Sequence, residues 1–316
     1  MMDIFAQHIT PETLEAQTGS LAQVAGIRQI RLEDGPQKGG RLVQIRNASG
    51  LCVELLPDRC LDIGQVWRHG VPYAWMGPWG LPTKGAGINM DNALGGLMAT
   101  CGFDHIRQPI IQDGYSYPLH GSMALTPCET LNIHPAPSPG GNFIVEATTR
   151  ARAPDQAEYT LIRRITIPFD RNEIGLEDHI TTRPASQVFA LYHINLGFPL
   201  IGADTSLTLN TTSFDERLNL VPHVQIAPVP AQRYSVSVSN YKFRAALDIL
   251  CDGTQLPWLQ TYRRAEERMN LFCIEPTTHD RKPRAELLEN SAKITPFEQK
   301  FALQFVFRHL TSELCC

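Results

Sequence analysis

Charge is scarce in this sequence. Asp, Glu, Lys and Arg make up only 19% of the 316 residues, below the ~25% usual in soluble domains. The 28 basic and 32 acidic side chains leave a formal net charge of −4. Such a chain lacks the strongly basic face by which proteins hold nucleic acid. Long hydrophobic runs are missing too: no stretch approaches the ~20 apolar residues needed to span a bilayer. The first ten residues, with Asp3 and His8, have no basic segment leading an apolar one, so no secretory signal is read and a cytoplasmic location is expected. Eight cysteines in 316 residues are too sparse for a disulfide scaffold, and none forms a CxxC pair. Cys52, Cys101, Cys251 and Cys273 lie in apolar contexts and read as small buried hydrophobes. Cys315-Cys316 lacks the prenylation pattern and reads as a frayed, reactive tail. With 43% hydrophobic residues, intrinsic disorder is excluded.

What the chain has in quantity is turn residues, 23 glycines and 23 prolines, and a period of two. One helix start stands out, with Thr10 as cap, Pro11 at the first helical position and Gly19 as the stop. In Lys300–Arg308, Phe301, Leu303, Phe305 and Phe307 share one face. Tyr159, Leu161, Ile165 and Ile167 do the same around Arg163, as in a half-buried strand. Further strand-like runs are Leu42–Arg46, Leu51–Leu56, Phe143–Arg150, Ile174–Thr182, Val188–Asn195, Ala246–Leu250 and Met269–Glu275. Turn clusters such as Asp34-Gly35-Pro36, the Pro/Gly patch at 135–141 and Asp252-Gly253 separate them. Strands without intervening amphipathic helices predict an all-β, large antiparallel sandwich rather than a doubly wound sheet. Length alone suggests two domains. With no linker-like break, the expectation is a single β-sandwich domain over 1–316, its core at about 20–310. The aromatic, glycine-rich stretch Trp75–Thr100 reads either as an edge loop or as a cover over a site.

The familiar catalytic signatures are absent: no GxGxxG opening a helix, no GxxxxGK[ST], no HExxH, no GxSxG. The polar residues that draw attention sit inside apolar segments, where an ionisable group is costly unless paired or functional. They are Arg59 between Asp58 and Asp62, Asp104 and Arg107 after Cys101-Gly102-Phe103, and His120 before Gly121. His193 and Asn195 follow in Tyr192-His193-Ile194-Asn195, and Glu275 lies between Ile274 and Pro276. Glu275 ends an apolar run at a proline that stops the ladder; desolvation there suits a general base, with a buried ion pair as the alternative. His193 reads as a proton donor and acceptor or as a satisfied core histidine. Gly121 suggests close approach of a ligand to His120. Histidines plus a glutamate leave a metal site open, although no ligand spacing singles one out.

In this order, Leu56-Pro57-Asp58-Arg59…Asp62-Ile63, Gly95-Gly96-Leu97…Thr100-Cys101-Gly102, Pro118-Leu119-His120-Gly121, Tyr192-His193-Ile194-Asn195…Gly197-Phe198-Pro199 and Ile274-Glu275-Pro276 resemble the aldose 1-epimerase (galactose mutarotase-like) superfamily. Within it they resemble an uncharacterised aldose-epimerase-like branch, a domain of unknown function. The resemblance implies a β-supersandwich, a cleft on one sheet, a small-molecule sugar substrate and no cofactor. Glu275 would be the base and His193 the acid in ring opening. His120, Arg59, Arg107, Asp104, Asn195 and an aromatic wall from Trp79 or Trp75 would bind the sugar. The sugar-mutarotase stretch Gly-Arg…Asn-Arg-Ile is missing, so Arg59 and Arg107 are chosen by position; Cys60 stands where the branch usually has glycine. No basic cluster marks a phosphate pocket, which favours a neutral or mildly acidic sugar. The competing readings are a non-catalytic carbohydrate-binding protein and a metal-assisted sugar isomerase or lyase. Nucleic-acid and membrane partners are not expected, and a homodimer is left open.

Overall fold

In a computed structural model, all residues are described except 1, 5–6, 36, 82–94, 125, 136–137, 211, 214–222, 290–297 and 311–316. Two antiparallel sheets carry the fold. The nine-stranded sheet runs, in spatial order, Thr130–His134, Asn142–Arg152, Glu158–Pro168, Glu173–Arg183, Glu298–His309, Ala245–Asp252, Arg233–Asn240, Thr205–Leu209 and Thr212–Ser213. Its long strands alternate: in Glu158–Pro168, Tyr159, Leu161, Arg163, Ile165 and Ile167 are buried while the residues between them reach solvent. This is the half-buried period-two pattern expected from the sequence. The strands on either side of the 135–141 patch, Thr130–His134 and Asn142–Arg152, pair antiparallel.

The ten-stranded sheet runs His223–Pro228, Trp258–Arg264, Leu271–Thr277, Phe189–Leu196, Met98–Phe103, Asp62–Arg68, Leu51–Leu56, Arg41–Arg46 and Gly26–Arg31, with Val71–Pro72 paired to Asp62–Arg68. Its central strands behave differently. Every residue of Met98–Phe103, Phe189–Leu196 and Leu271–Thr277 is buried. Tyr192, Ile194, Phe272 and Ile274 enter the main core, which draws residues from Leu14 to Phe307. The alternate residues form smaller clusters on the sheet's other face, among them Trp75, Ala99, Leu271 and Cys273. A strand buried on both faces needs a second cover, and that cover encloses the site described below.

Helix Pro11–Gln17 is capped by Thr10, whose Oγ1 accepts from the Thr13 amide at 3.2 Å. It stops at Thr18, one residue before the expected Gly19. A second short helix, Arg284–Glu289, was not legible in the sequence. No described helix is long and apolar enough to cross a membrane. Among the described residues Cys101, Cys251 and Cys273 are buried free thiols as expected, whereas Cys52 is only half-buried. Cys315, Cys316 and residues 82–94 of the aromatic stretch lie outside the described residues.

Arg163 keeps the alternation and is the charged residue on the strand's inward face. It is fully buried between the sheets, with Nε and Nη2 donating to Asp178 Oδ1 and Oδ2 at 2.8 and 2.7 Å. Its Nη1 reaches Asp62 Oδ1 at 3.3 Å, and the Tyr192 hydroxyl donates to Asp178 Oδ2 at 2.7 Å. Arg59 Nη2 meets the other Asp62 oxygen at 3.3 Å. Two guanidinium groups and two carboxylates thus form a charge-balanced network pinning one sheet to the other.

Candidate active site

Strand register assembles the site. Phe189–Leu196 and Leu271–Thr277 pair antiparallel with Asn195 opposite Cys273 and Ile194 opposite Ile274. That register sets His193 beside Glu275 on the face turned away from the main core. Gln260, on the next strand, is the direct cross-strand partner of Glu275.

His193 Nε2 lies 3.4 Å from Glu275 Oε1, and both side chains are essentially inaccessible to solvent. Each is held from behind. His193 Nδ1 donates to Asn195 Oδ1 at 2.6 Å, while Asn195 Nδ2 donates to the Gly96 carbonyl at 3.2 Å. The amide orientation therefore fixes the proton on Nδ1 and leaves Nε2 to face the pocket. Gln260 Nε2 donates to Glu275 Oε2, and Arg107 Nε donates to Gln260 Oε1 at 3.0 Å. Arg107 also donates to the Asp280 and His279 carbonyls at 2.6 and 2.9 Å, so each of its three nitrogens is engaged. Burial pulls its pKa down to about 10, with Glu275 opposing, so the guanidinium stays charged at neutral pH.

His120 stacks edge-on against His193, with ring centroids 5.4 Å apart and planes at 86°. It sits in the left-handed backbone region (φ +58°), its amide donating to the Arg107 carbonyl at 2.8 Å and its carbonyl accepting from Gly102 at 2.8 Å. Gly121 follows at φ +82°. A Cβ there would lie 2.3 Å from the His105 carbonyl oxygen. The glycine thus admits the protein's own backbone, not a ligand as the sequence suggested. Burial, reinforced by His193, His105 and Arg107, holds His120 well below the ordinary histidine pKa and hence neutral.

These groups converge on a pocket of about 120 Å³ lined by Arg107, His120, His193, Gln260, Tyr262 and Glu275, with Gln108, Val224 and Arg281 at its margin. Three buried polar atoms of this pocket have no hydrogen-bond partner among the described residues: Glu275 Oε1 and both ring nitrogens of His120. Unsatisfied buried polar atoms are rare and costly, and three in one pocket indicate a place built for a polar ligand. A larger groove of about 780 Å³ on the outer face of the nine-stranded sheet lacks this character. Its charges neutralise one another, as in Arg164 with Glu177 and Arg171 with Glu173.

The structure brings together His193, Glu275, His120, Arg107 and Asn195, and it removes three other residues from the set. Arg59 is spent on Asp62 and on the Gly95 carbonyl, to which Nη1 donates at 2.8 Å. Asp104 accepts from the Ser122 amide and hydroxyl at 2.7 and 2.8 Å, fastening the turn that carries His120. Trp79 is 68% exposed and does not line the pocket. Trp75 is buried beside it, with its indole N–H donated to the Met269 carbonyl. The aromatic wall is instead Tyr262. Sequence reasoning also missed Gln260, whose only signal was a polar side chain opposite Glu275 in a strand not singled out beforehand.

His193, Cys273 and Glu275 offer ligand atoms within 4.8 Å of one another, a spacing a divalent cation could bridge. Without a cation, burial pushes the Cys273 thiol well above its usual pKa, and Sγ donates to Asn195 Oδ1 at 3.5 Å.

Residues 37–220 match the family DUF4432, a domain of unknown function. Among curated proteins none matches the chain in sequence. Solved structures share its fold. A candidate aldose 1-epimerase from Klebsiella pneumoniae superposes with a TM-score of 0.77 at 18% identity, over 90% of this chain and 83% of its own. Galactose 1-epimerase from Lactobacillus acidophilus gives 0.61 at 13% identity, over 90% and 99%. An aldose epimerase homologue from C. elegans gives 0.55 at 16% identity, over 85% and 99%.

Proposed function

This chain belongs to the DUF4432 family, and we propose that it is a sugar epimerase that opens and recloses an aldose ring, with Glu275 as base and His193 as acid. One observation carries the reading: Glu275 Oε1, buried and without a hydrogen bond among the described residues, lies 3.4 Å from His193 Nε2 in a pocket. The two oxygens that exchange protons in anomer interconversion are bonded to one carbon, so acid and base must stand side by side. The likeness in fold to proteins described as aldose 1-epimerases supports sugar chemistry.

Glu275 Oε1 takes the proton of the anomeric hydroxyl as the C1–O1 double bond forms. The C1–O5 bond breaks, and O5 takes the proton from Nε2 of the His193 imidazolium. Rotation about C1–C2 presents the other aldehyde face. The neutral imidazole then withdraws the O5 proton while Glu275 returns its own to O1, and both groups are restored. Asn195 and Gln260 keep the two side chains in register, and preorganised positioning is a large part of such catalysis. His120, neutral, offers one ring N–H and one ring lone pair to sugar hydroxyls. Tyr262 offers an aromatic face.

Saturation-transfer NMR on a panel of neutral and acidic aldoses tests this. Exchange between α and β signals is expected for at least one of them. Glu275→Gln should abolish it with the fold intact, and His193→Asn should slow it by roughly 10²–10⁴-fold. Full activity in either variant would refute the assignment, and ligand broadening without exchange would make the protein a binder only. Stoichiometric zinc in the purified protein would replace this route by a metal-assisted one.

A further inference from the structure

The pocket that holds His193 and Glu275 has a neighbour. A second hollow of about 290 Å³ lies between residues 105–110 and 281–287 and shares Arg107, Gln108 and Arg281 with it. Its walls are partly apolar, from Ile106, Phe189 and Leu287, and its polar lining is cationic: Arg107, Arg281, Lys282 and Arg284.

These charges are not cancelled. Lys282 is the exception, with Nζ held by Glu286 at 2.8 Å and Asp280 at 4.0 Å. Among the described residues no carboxylate lies within ion-pair distance of the three guanidinium groups. Arg107 donates to neutral acceptors only. Arg284 donates to the Asp104 carbonyl and lies over the rings of Tyr117 and Phe189, 4.3 and 4.9 Å from their centroids. It is nine-tenths buried, yet its Nε has no hydrogen-bond partner. Arg281, on the border between the two hollows, makes no hydrogen bond or ion pair with any described residue. Other arginines of the chain do find carboxylates, as Arg163 does with Asp178, Arg41 with Asp58 and Arg308 with Asp248. Arg281, without a partner, and Arg284, with an open Nε, face a half-apolar hollow with no carboxylate paired to either, which leaves a charge complement to be supplied from outside. Guanidinium donors match the oxygens of a carboxylate, phosphate or sulfonate.

We propose that this hollow receives the oxyanion substituent of an acidic sugar whose anomeric carbon lies over His193 and Glu275. The inference rests on reading that pair as a sugar site. It narrows the expectation of a neutral or mildly acidic sugar to an acidic one; the cationic cluster was not legible because Arg107 and residues 281–284 are far apart in sequence and meet only in the fold.

Titration calorimetry at low ionic strength, with a neutral hexose, its 6-phosphate, its uronic acid and inorganic phosphate alone, tests the proposal on wild type, Arg281→Ala and Glu275→Gln. At least one acidic sugar should bind about tenfold or more tighter than the neutral parent, the gain expected of one charge-assisted contact. In Arg281→Ala that ratio should fall about tenfold, and in Glu275→Gln it should persist. Equal binding of acidic and neutral sugars, or an unchanged ratio in Arg281→Ala, overturns the proposal. So does inorganic phosphate binding as tightly as the sugar phosphate, which would mark a free-anion site. Anomer exchange on a neutral sugar without acidic preference removes this inference alone. Acidic preference without exchange on any sugar removes the catalytic reading and leaves the anion site standing.

Discussion

Replacing Gln260 with leucine cuts the link between Arg107 and Glu275 without touching either. In the native site Gln260 donates to Glu275 Oε2 and accepts from Arg107 Nε at 3.0 Å. The other oxygen of Glu275, Oε1, accepts no hydrogen bond among the described residues and lies 3.4 Å from His193 Nε2. A hydrogen bond to a buried charged group contributes about 1.5–3 kcal/mol. Losing it lets the carboxylate swing out of register with His193, and the rate should fall by about 10- to 150-fold at 1.4 kcal/mol per decade. Stability should fall as well, because leucine leaves Arg107 Nε and Glu275 Oε2 unsatisfied in a buried site. The assay that separates positioning from damage is a double-mutant cycle, with anomer exchange measured for wild type, Gln260→Leu, Glu275→Gln and the double variant. If Gln260 acts through Glu275, its loss should matter little once the carboxylate is gone, so the two effects should be strongly non-additive. Additive effects, or a Gln260→Leu enzyme with the wild-type rate, would refute the relay.

Two further outcomes concern stability. Burial lowers the His279 pKa to about 4 and holds His120 well below its ordinary value. Unfolded histidines take up protons near pH 6.5, so below that pH the unfolded state binds more protons and stability falls toward the folded values. For His279 the window from 6.5 to about 4 amounts to about 3 kcal/mol. Denaturant unfolding between roughly pH 7.5 and pH 4.5 should give a flatter profile for His279→Leu than for wild type, and parallel profiles would contradict the assignment. Arg163→Ala strips the inter-sheet network of its central cation and leaves Asp178 and Asp62 facing each other in the core. It should cost about 3–5 kcal/mol in chemical denaturation, and a loss below about 1 kcal/mol would show that the network relaxes around the gap.

The β fold was legible because its strands repeat every two residues and its corners are rich in glycine and proline. The strands Val188–Asn195 and Met269–Glu275 were located within two residues of their observed bounds, Phe189–Leu196 and Leu271–Thr277. Trp258–Arg264 escaped because it carries no apolar stripe: Gln260 and Tyr262 face the pocket, and Thr261 and Arg263 are buried. Missing that strand meant missing Gln260. Cys60, anomalous as a glycine replacement, has φ +41° beside Leu61 at +59°. The left-handed turn that favours glycine is thus present here without one.

Within the site, the sequence picked out buried ionisable groups correctly as a class but could not sort them. Arg59, Asp104, His120, His193 and Glu275 are all buried, and each must be compensated by something. Sequence shows that demand and not its source. In Arg59 and Asp104 the source is internal: Asp62 and the Gly95 carbonyl for one, Ser122 for the other. In His120 and Glu275 polar atoms remain unsatisfied, and those atoms lie beside His193 in one pocket. Ion pairing sorts the arginines. Arg59 and Arg163 meet carboxylates in the core, whereas Arg281 and Arg284 border the neighbouring hollow with no described carboxylate within ion-pair distance. The gathering of unsatisfied valence in one pocket, rather than burial or residue type, therefore marks the groups left open for a substrate.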